Sequence, residues 1–193
     1  GPGSATPPGH WLAIAQKIAE GRSDSTLANA RLFSLLAISV ADAAIAAWDT
    51  KYAYSFWRPI TAIQNADFDG NDATVSDSFW QPLIPTPNHP SYVSGHSSFS
   101  GAAATLLAGF YGTDSFNFCA SSETDASLMR CFDSFWAAAE EGGMSRIYGG
   151  IHWQFDNQDG LALGQNVANW VLAHQPVWVP EPSSLALFGL AGG

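Results

Sequence analysis

An all-α helical bundle is the fold class this sequence predicts, on three observations. A long Ala/Leu-rich segment over 25–54 repeats apolar residues at helical spacing. A second apolar run, over 99–110, is opened by a cap-forming serine at Ser94 and closed by Gly112. Strand signals are few, because no alternating apolar/polar run exceeds a handful of residues.

Taken in order, residues 1–9 are rich in Gly and Pro and are predicted irregular. Trp11, Ile14, Ala15 and Ile18 then give an amphipathic pattern over 10–21 that stops at Gly21. Ser25 is expected to cap the longest helix, which runs to Tyr54 with Leu27, Phe33, Leu36, Val40, Ala44, Ile45 and Trp48 as its core contacts. Trp57-Arg58-Pro59-Ile60 reads as a turn into a short helix ending near Asn65, since proline is favoured in a first turn. Over 67–90 the composition changes to Asp, Asn, Ser and Pro, and Pro82, Pro85, Pro87 and Pro90 exclude a helix from its end. Long loops of this kind carry function more often than core segments do. Small residues Gly101, Ala102, Ala103 and Ala104 allow close packing at the start of the 99–110 run. A polar segment over 113–125 precedes a helix expected over 126–141, which Gly142-Gly143 are expected to break. The last helix is expected over 161–174, burying Leu161, Leu163, Val167, Trp170 and Val171. The resulting division is an N-terminal segment over 1–24, one bundle over 25–176, and an irregular tail over 177–193.

The chain has 193 residues, 47% of them hydrophobic, which suits one domain with a sizeable core. Its formal charge is -10, with only seven cations: Lys17, Arg22, Arg31, Lys51, Arg58, Arg130 and Arg146. That balance argues against nucleic acid as a partner. It also makes a local concentration of positive charge informative, and Lys51, Arg58 and Arg146 are the candidates to hold an anion. In an oxidising compartment Cys119 and Cys131 could form one disulfide across a surface loop, and two cysteines alone leave the redox compartment open. No apolar stretch is expected to reach the ~20 residues that span a bilayer. The N-terminus shows no basic-then-apolar secretory pattern, and Gly1-Pro2-Gly3-Ser4 reads equally as a cloning remnant or as part of a longer chain.

Ser145-Arg146-Ile147-Tyr148-Gly149-Gly150-Ile151-His152-Trp153-Gln154-Phe155-Asp156 concentrates an arginine, a histidine and an aspartate. If the stretch is mostly helical, His152 and Asp156 share a face, and the carboxylate fixes the imidazole tautomer so that the other nitrogen is a ligand or nucleophile. Gly149-Gly150 would let the backbone approach whatever His152 holds. The competing reading is an ordinary satisfied histidine at a helix start. Two further cassettes complete a pattern: Lys51, six residues, Arg58-Pro59; and Ser94-Gly95-His96 at a helix start. Together they supply three cations, a hydroxyl, a helix N-terminus and two histidines, which suits a tetrahedral or trigonal-bipyramidal oxyanion. One histidine can bond the central atom and the other can move a proton. Ser94 alone would be only an N-cap, and no Gly-x-Ser-x-Gly nucleophile elbow is present.

In order and spacing the cassettes resemble the signature of the type 2 phosphatidic acid phosphatase and vanadium-dependent haloperoxidase superfamily. The likeness runs from about Trp48 to Asp156, with Val93 standing where the family pattern has proline before Ser94. It implies a helical bundle that is the C-terminal part of a longer protein. His152 would bind vanadate, or be the phosphorylated nucleophile of a phosphatase. Asp156 would orient His152, and His96 would be the acid–base group. Lys51, Arg58, Ser94, Gly95 and Arg146 would hold the equatorial oxygens. Trp48 matches a tryptophan of haloperoxidase sites, and His89 matches a histidine associated with bromoperoxidases. For these two, a core aromatic and a solvated loop histidine are the competing readings. The implied reaction is oxidation of halide, bromide favoured, by hydrogen peroxide bound to His152-held vanadate, with Lys51 polarising the peroxide oxygens. Vanadium stays pentavalent and acts as a Lewis acid. Two other readings stay open: an acid phosphatase acting on phosphate esters through phospho-His152, and a non-catalytic exported surface protein. The tail, Val179-Pro180-Glu181-Pro182 and the apolar run from Leu185, resembles a PEP-CTERM sorting signal, which implies export in a Gram-negative bacterium.

Overall fold

A computed structural model describes residues 6–122 and 127–175. The tail and its sorting-signal reading lie outside those residues. Eight elements follow in order: α1 (Pro7–Arg22), α2 (Thr26–Tyr54), α3 (Pro59–Gln64), α4 (Gly95–Tyr111), β1 (Ser115–Ser121), β2 (Met129–Ser134), α5 (Phe135–Tyr148) and α6 (Gln154–His174). A short 3-10 turn, Ala66–Phe68, follows α3.

The centre is α4, in which every residue from Gly95 to Leu107 except His96 is buried. Ser94 caps it, its Oγ accepting from the Ser97 N–H, and Gly112 ends it in the left-handed region at φ 73°. Such a helix needs partners on all sides, and α6, α2, α5 and α1 supply them. Ser25 caps α2 as expected, its Oγ accepting from the Ala28 N–H. The inward stripe of α2, Leu32, Leu36, Val40, Ala43, Ala47 and Lys51, ends on a cation and so delivers Lys51 into the interior.

Several expectations are corrected. Leu27 and Ile45 lie outside that stripe and are 62% and 69% exposed, and Trp170 on α6 is 61% exposed. Within the 1–24 segment, α1 buries Trp11, Ile14, Ala15, Ile18 and Ala19 in the same core as the bundle. Among the described residues the stretch Thr26–Gln64, which holds α2 and α3, is long and apolar enough by length and composition alone to cross a membrane, a test that the core helix of a folded domain also passes. In this fold the inward side of α2 packs on α4 and α6.

The helix expected over 126–141 is instead a β-hairpin joined to α5. The antiparallel strands β1 and β2 place Cys119 opposite Cys131, and the two form a disulfide. Phe116 and Phe118, two apart on β1, both meet Phe135 at ring-centroid distances of 5.5 and 5.7 Å. Ser134 caps α5, its Oγ accepting from the Ala137 N–H. Gly142-Gly143 do not break α5. The space where a Gly143 side chain would sit is filled by Asn157 of α6. The last helix begins seven residues before the expected 161, at Gln154.

Candidate active site

Between α5 and α6 the chain leaves helical geometry, so His152 and Asp156 are not on one helical face as expected. Asp156 occupies the third position of α6, where its Oδ2 accepts the Trp153 N–H at 3.1 Å and faces His152 Nδ1 at 2.7 Å. The cap at the helix start and the imidazole partner are therefore one carboxylate oxygen. The Gly149-Gly150 pair does not open onto this site either. Gly150, at φ 74°, lies where Pro82 Cα and Trp80 Cη2 would be 3.2 and 3.3 Å from an added Cβ, so the pair accommodates the proline-rich loop.

Arg58, 5% exposed at the entrance to α3, joins the loop to the imidazole. Its NH1 donates to the Ile151 carbonyl at 2.7 Å and faces His152 Nε2 at 3.0 Å. Its Nε donates to the His89 carbonyl, and NH2 faces His89 Nδ1 at 3.1 Å. A guanidinium has no acceptor, so His152 Nε2 carries the lone pair and Nδ1 the proton. The same logic applies to His96, whose Nε2 faces Arg146 NH1 at 2.9 Å. Burial, opposed only in part by Asp156, lowers the His152 pKa to about 4. Burial, with the charges of Arg146, His152 and Lys51, lowers that of His96 to about 3. Both imidazoles are neutral at pH 7, each presenting a bare Nε2 to an arginine.

Lys51 is fully buried, and its Nζ donates to the carbonyls of Pro90, Ser91 and Val93. In its protonated form Lys51 spends all three N–H groups on these contacts. Lys51 therefore clamps the 90–93 segment, and contact with an oxyanion would require giving up one carbonyl. Burial first and Arg58 second lower its pKa to about 7. Burial also lowers Arg58 to about 10 and moves Arg146 downward.

The Ser94 N–H donates to the Asp156 carbonyl at 2.9 Å, joining the starts of α4 and α6. Trp48 packs on that start, where a Cβ at Gly95 would lie 3.1 Å from its ring, and its centroid is 5.2 Å from that of His89. Trp48 is 36% exposed, so it forms a wall and not a core contact. Of the candidate residues, Arg58, His89, His152 and Asp156 form one hydrogen-bonded cluster, which Ser94 joins at the Asp156 carbonyl and Lys51 joins through Ser91, and His96 and Arg146 form a second. A cavity of about 500 Å³ opens on the His96–Arg146 side, walled by Trp11, Ile14, Phe132 and Ala138, while His152 lies off it at 6% exposure.

Ser91 escaped the sequence reading. It is fully buried, and its Oγ donates to Asp156 Oδ2. The carbonyls of Pro90, Ser91 and Val93 were equally invisible, since any residue offers one.

The cluster fits an oxyanion on its own terms. Lys51 and Arg58 in the first cluster, Arg146 in the second and the α4 N-terminus supply positive charge and donors, the bare Nε2 of His152 is a lone pair able to bond a central atom, and the buried Arg146 Nε has no partner among the described residues. Sulfate, which does not titrate near neutrality, is expected to take up protons on binding. An anion beside Lys51 raises a pKa that burial holds near 7, so at pH 8 uptake approaches about one proton per sulfate. Calorimetry in buffers of different ionisation enthalpy measures it, and Lys51→Met should abolish it.

Residues 31–178 match the family model for the VCPO second helical-bundle domain. The chain is 28% identical over 206 aligned positions to the vanadium chloroperoxidase of Curvularia inaequalis, covering 78% of this chain and 33% of that protein. It is 29% identical over 145 positions to the vanadium-dependent bromoperoxidase of Ascophyllum nodosum, covering 66% of this chain and 25% of that one. The crystal structure of a bacterial vanadium-dependent iodoperoxidase superposes with a TM-score of 0.81 at 33% identity, over 93% of this chain and 42% of that chain. A holo-type bacterial vanadium-dependent chloroperoxidase shares the fold, with a TM-score of 0.71 at 18% identity. The chain thus spans a quarter to a third of the curated relatives it matches. Matched over most of its length, it belongs to the vanadium haloperoxidase superfamily, as a second helical-bundle domain of the vanadium chloroperoxidase type.

Proposed function

We propose that this domain holds vanadate on His152 and oxidises halide with hydrogen peroxide, consuming one proton: peroxide, halide and a proton give hypohalous acid and water. The observation that carries the proposal is the bare Nε2 of His152, 3.0 Å from Arg58 NH1, with its other nitrogen fixed on Asp156. The vanadium-dependent chloro-, bromo- and iodoperoxidases among its relatives support the same reading.

Vanadate, when bound, supplies a Lewis acid that activates peroxide without changing its own oxidation state. This chain's residues do the rest. His152 Nε2 is the ligand, and Asp156 keeps the proton on Nδ1. Arg58 and Arg146 offset the anionic charge, aided by Ser94 and Gly95 at the α4 N-terminus. Lys51 adds charge from the clamp it forms. His96 delivers the proton that the reaction consumes, because an anion beside it raises a pKa that burial and Arg146 hold near 3. Trp48 and His89 wall the approach to Arg58, and His89 supports bromide over chloride. The Cys119–Cys131 disulfide supports an exported protein, since such bonds persist in oxidising compartments.

The test is turnover of purified protein with bromide, iodide or chloride, with and without orthovanadate, beside hydrolysis of an aryl phosphate. Bromination that requires both vanadate and peroxide is the expected result. Phosphate release that vanadate inhibits would instead make the domain a phosphohistidine phosphatase. Inertness in both assays would point to a non-catalytic surface protein.

A further inference from the structure

We infer that Ser91 is a positioning residue of this site: its hydroxyl fixes the Asp156 carboxylate and thereby holds the proton on His152 Nδ1. The idea deepens the vanadate reading, but its geometry stands without it.

Ser91 is fully buried and tied at three points. Its N–H donates to the Phe56 carbonyl at 2.9 Å, its carbonyl accepts from Lys51 Nζ at 2.9 Å, and its Oγ donates to Asp156 Oδ2. The same hydroxyl lies 3.5 Å from His152 Nδ1. A carboxylate only accepts, so the Ser91 proton must point at Asp156.

Asp156 is loaded on one side. Oδ2 receives Ser91 Oγ, His152 Nδ1 and the Trp153 N–H, while the buried Oδ1 has no partner among the described residues. Nothing on Oδ1 stops the carboxylate from turning, so the donors on Oδ2 decide which oxygen meets the imidazole. Of those three donors only Ser91 comes from outside the 152–156 segment. It alone joins that oxygen to the rest of the fold.

Lys51 acts through the same residue. With its three N–H groups on the carbonyls of residues 90, 91 and 93, it holds the backbone from which the Ser91 hydroxyl projects. The chain of contacts therefore runs from α2 through Ser91 to Asp156 and His152.

Histidine-labelled protein without vanadate provides the first measurement. In the parent, nitrogen NMR should show a proton held on His152 Nδ1. In Ser91→Ala that proton should exchange with water at least about tenfold faster, as loss of one hydrogen bond to a charged group implies. Ser91→Thr, which keeps the hydroxyl, should restore slow exchange. Unchanged exchange in Ser91→Ala, with His96 signals still those of the folded parent, would overturn the inference. The second measurement titrates orthovanadate by vanadium NMR, where Ser91→Ala should weaken binding about tenfold and Ser91→Thr less than about twofold. If the parent binds no vanadate yet Ser91→Ala loosens the Nδ1 proton, the vanadate reading fails and the positioning role stands. If vanadate binds parent and Ser91→Ala alike with the proton unmoved, the positioning role fails and the vanadate reading stands.

Discussion

Under the proposed vanadate-dependent activity, His152→Ala is expected to lower kcat/KM for bromide oxidation by at least about a thousandfold, or roughly 4 kcal/mol of transition-state stabilisation. The size follows from what the side chain alone supplies. Nε2 is the imidazole lone pair in contact with Arg58, and Asp156 keeps it unprotonated. Arg58, Arg146 and the α4 N-terminus survive the substitution, so an oxyanion should still associate weakly while the ligand bond is gone. Asp156→Asn gives the graded comparison. It keeps the shape of the cap but weakens the acceptor for Nδ1–H, and a loss of about 10- to 100-fold is expected. Steady-state rates at saturating vanadate, with circular dichroism as a folding control, read both. Activity of His152→Ala within about tenfold of the parent would put the chemistry elsewhere.

Gly164→Ala is expected to destabilise the fold by about 3 kcal/mol or more, among the larger effects a single methyl group has. At this position α6 lies directly on α4. An added Cβ would overlap the Ser98 carbonyl and come within 2.6 Å of the Ala102 nitrogen, both backbone atoms that cannot swing aside. The approach is reciprocal, since a Cβ at Gly101 of α4 would collide with the Leu161 carbonyl and lie 3.0 Å from its Cα. Prising the helices apart also moves the Ser94 N–H from the Asp156 carbonyl, so activity should fall with stability. Gly21→Ala near the end of α1 is the control. No atom lies within 4 Å of the Cβ it adds, and a gain of up to about 1 kcal/mol is expected. Urea unfolding measures both, and a neutral Gly164→Ala would mean that the helices are not in contact there.

The first four helices and the ends of α2 and α4 are legible because their signals are local: a serine that caps, a glycine that stops, an apolar repeat between. The hairpin was not, although Phe116 and Phe118 already show the strand period; the alanines after Trp136 outweighed a pattern only a few residues long. Leu27, Ile45 and Trp170 were misplaced for a different reason. Helical spacing identifies a face, and only the partner helices decide how wide the buried stripe is. At the site, residue types carried the reading of Arg58, His96, Arg146, His152 and Asp156. Lys51 was found for its charge, yet its contacts are backbone carbonyls that no residue name reveals. Ser91 was missed because one serine looks like another until the fold sets its hydroxyl against Asp156.

The central claim is that separate segments deliver cations around one imidazole whose Nε2 is a ligand. A crystal soaked in orthovanadate, with an anomalous difference map recorded for vanadium, tests it most directly. The account predicts a single strong peak at bonding distance from His152 Nε2, with Arg58 and Arg146 turned toward it and Asp156 still on Nδ1. A peak remote from His152, or none at a vanadate concentration that supports turnover, would contradict it.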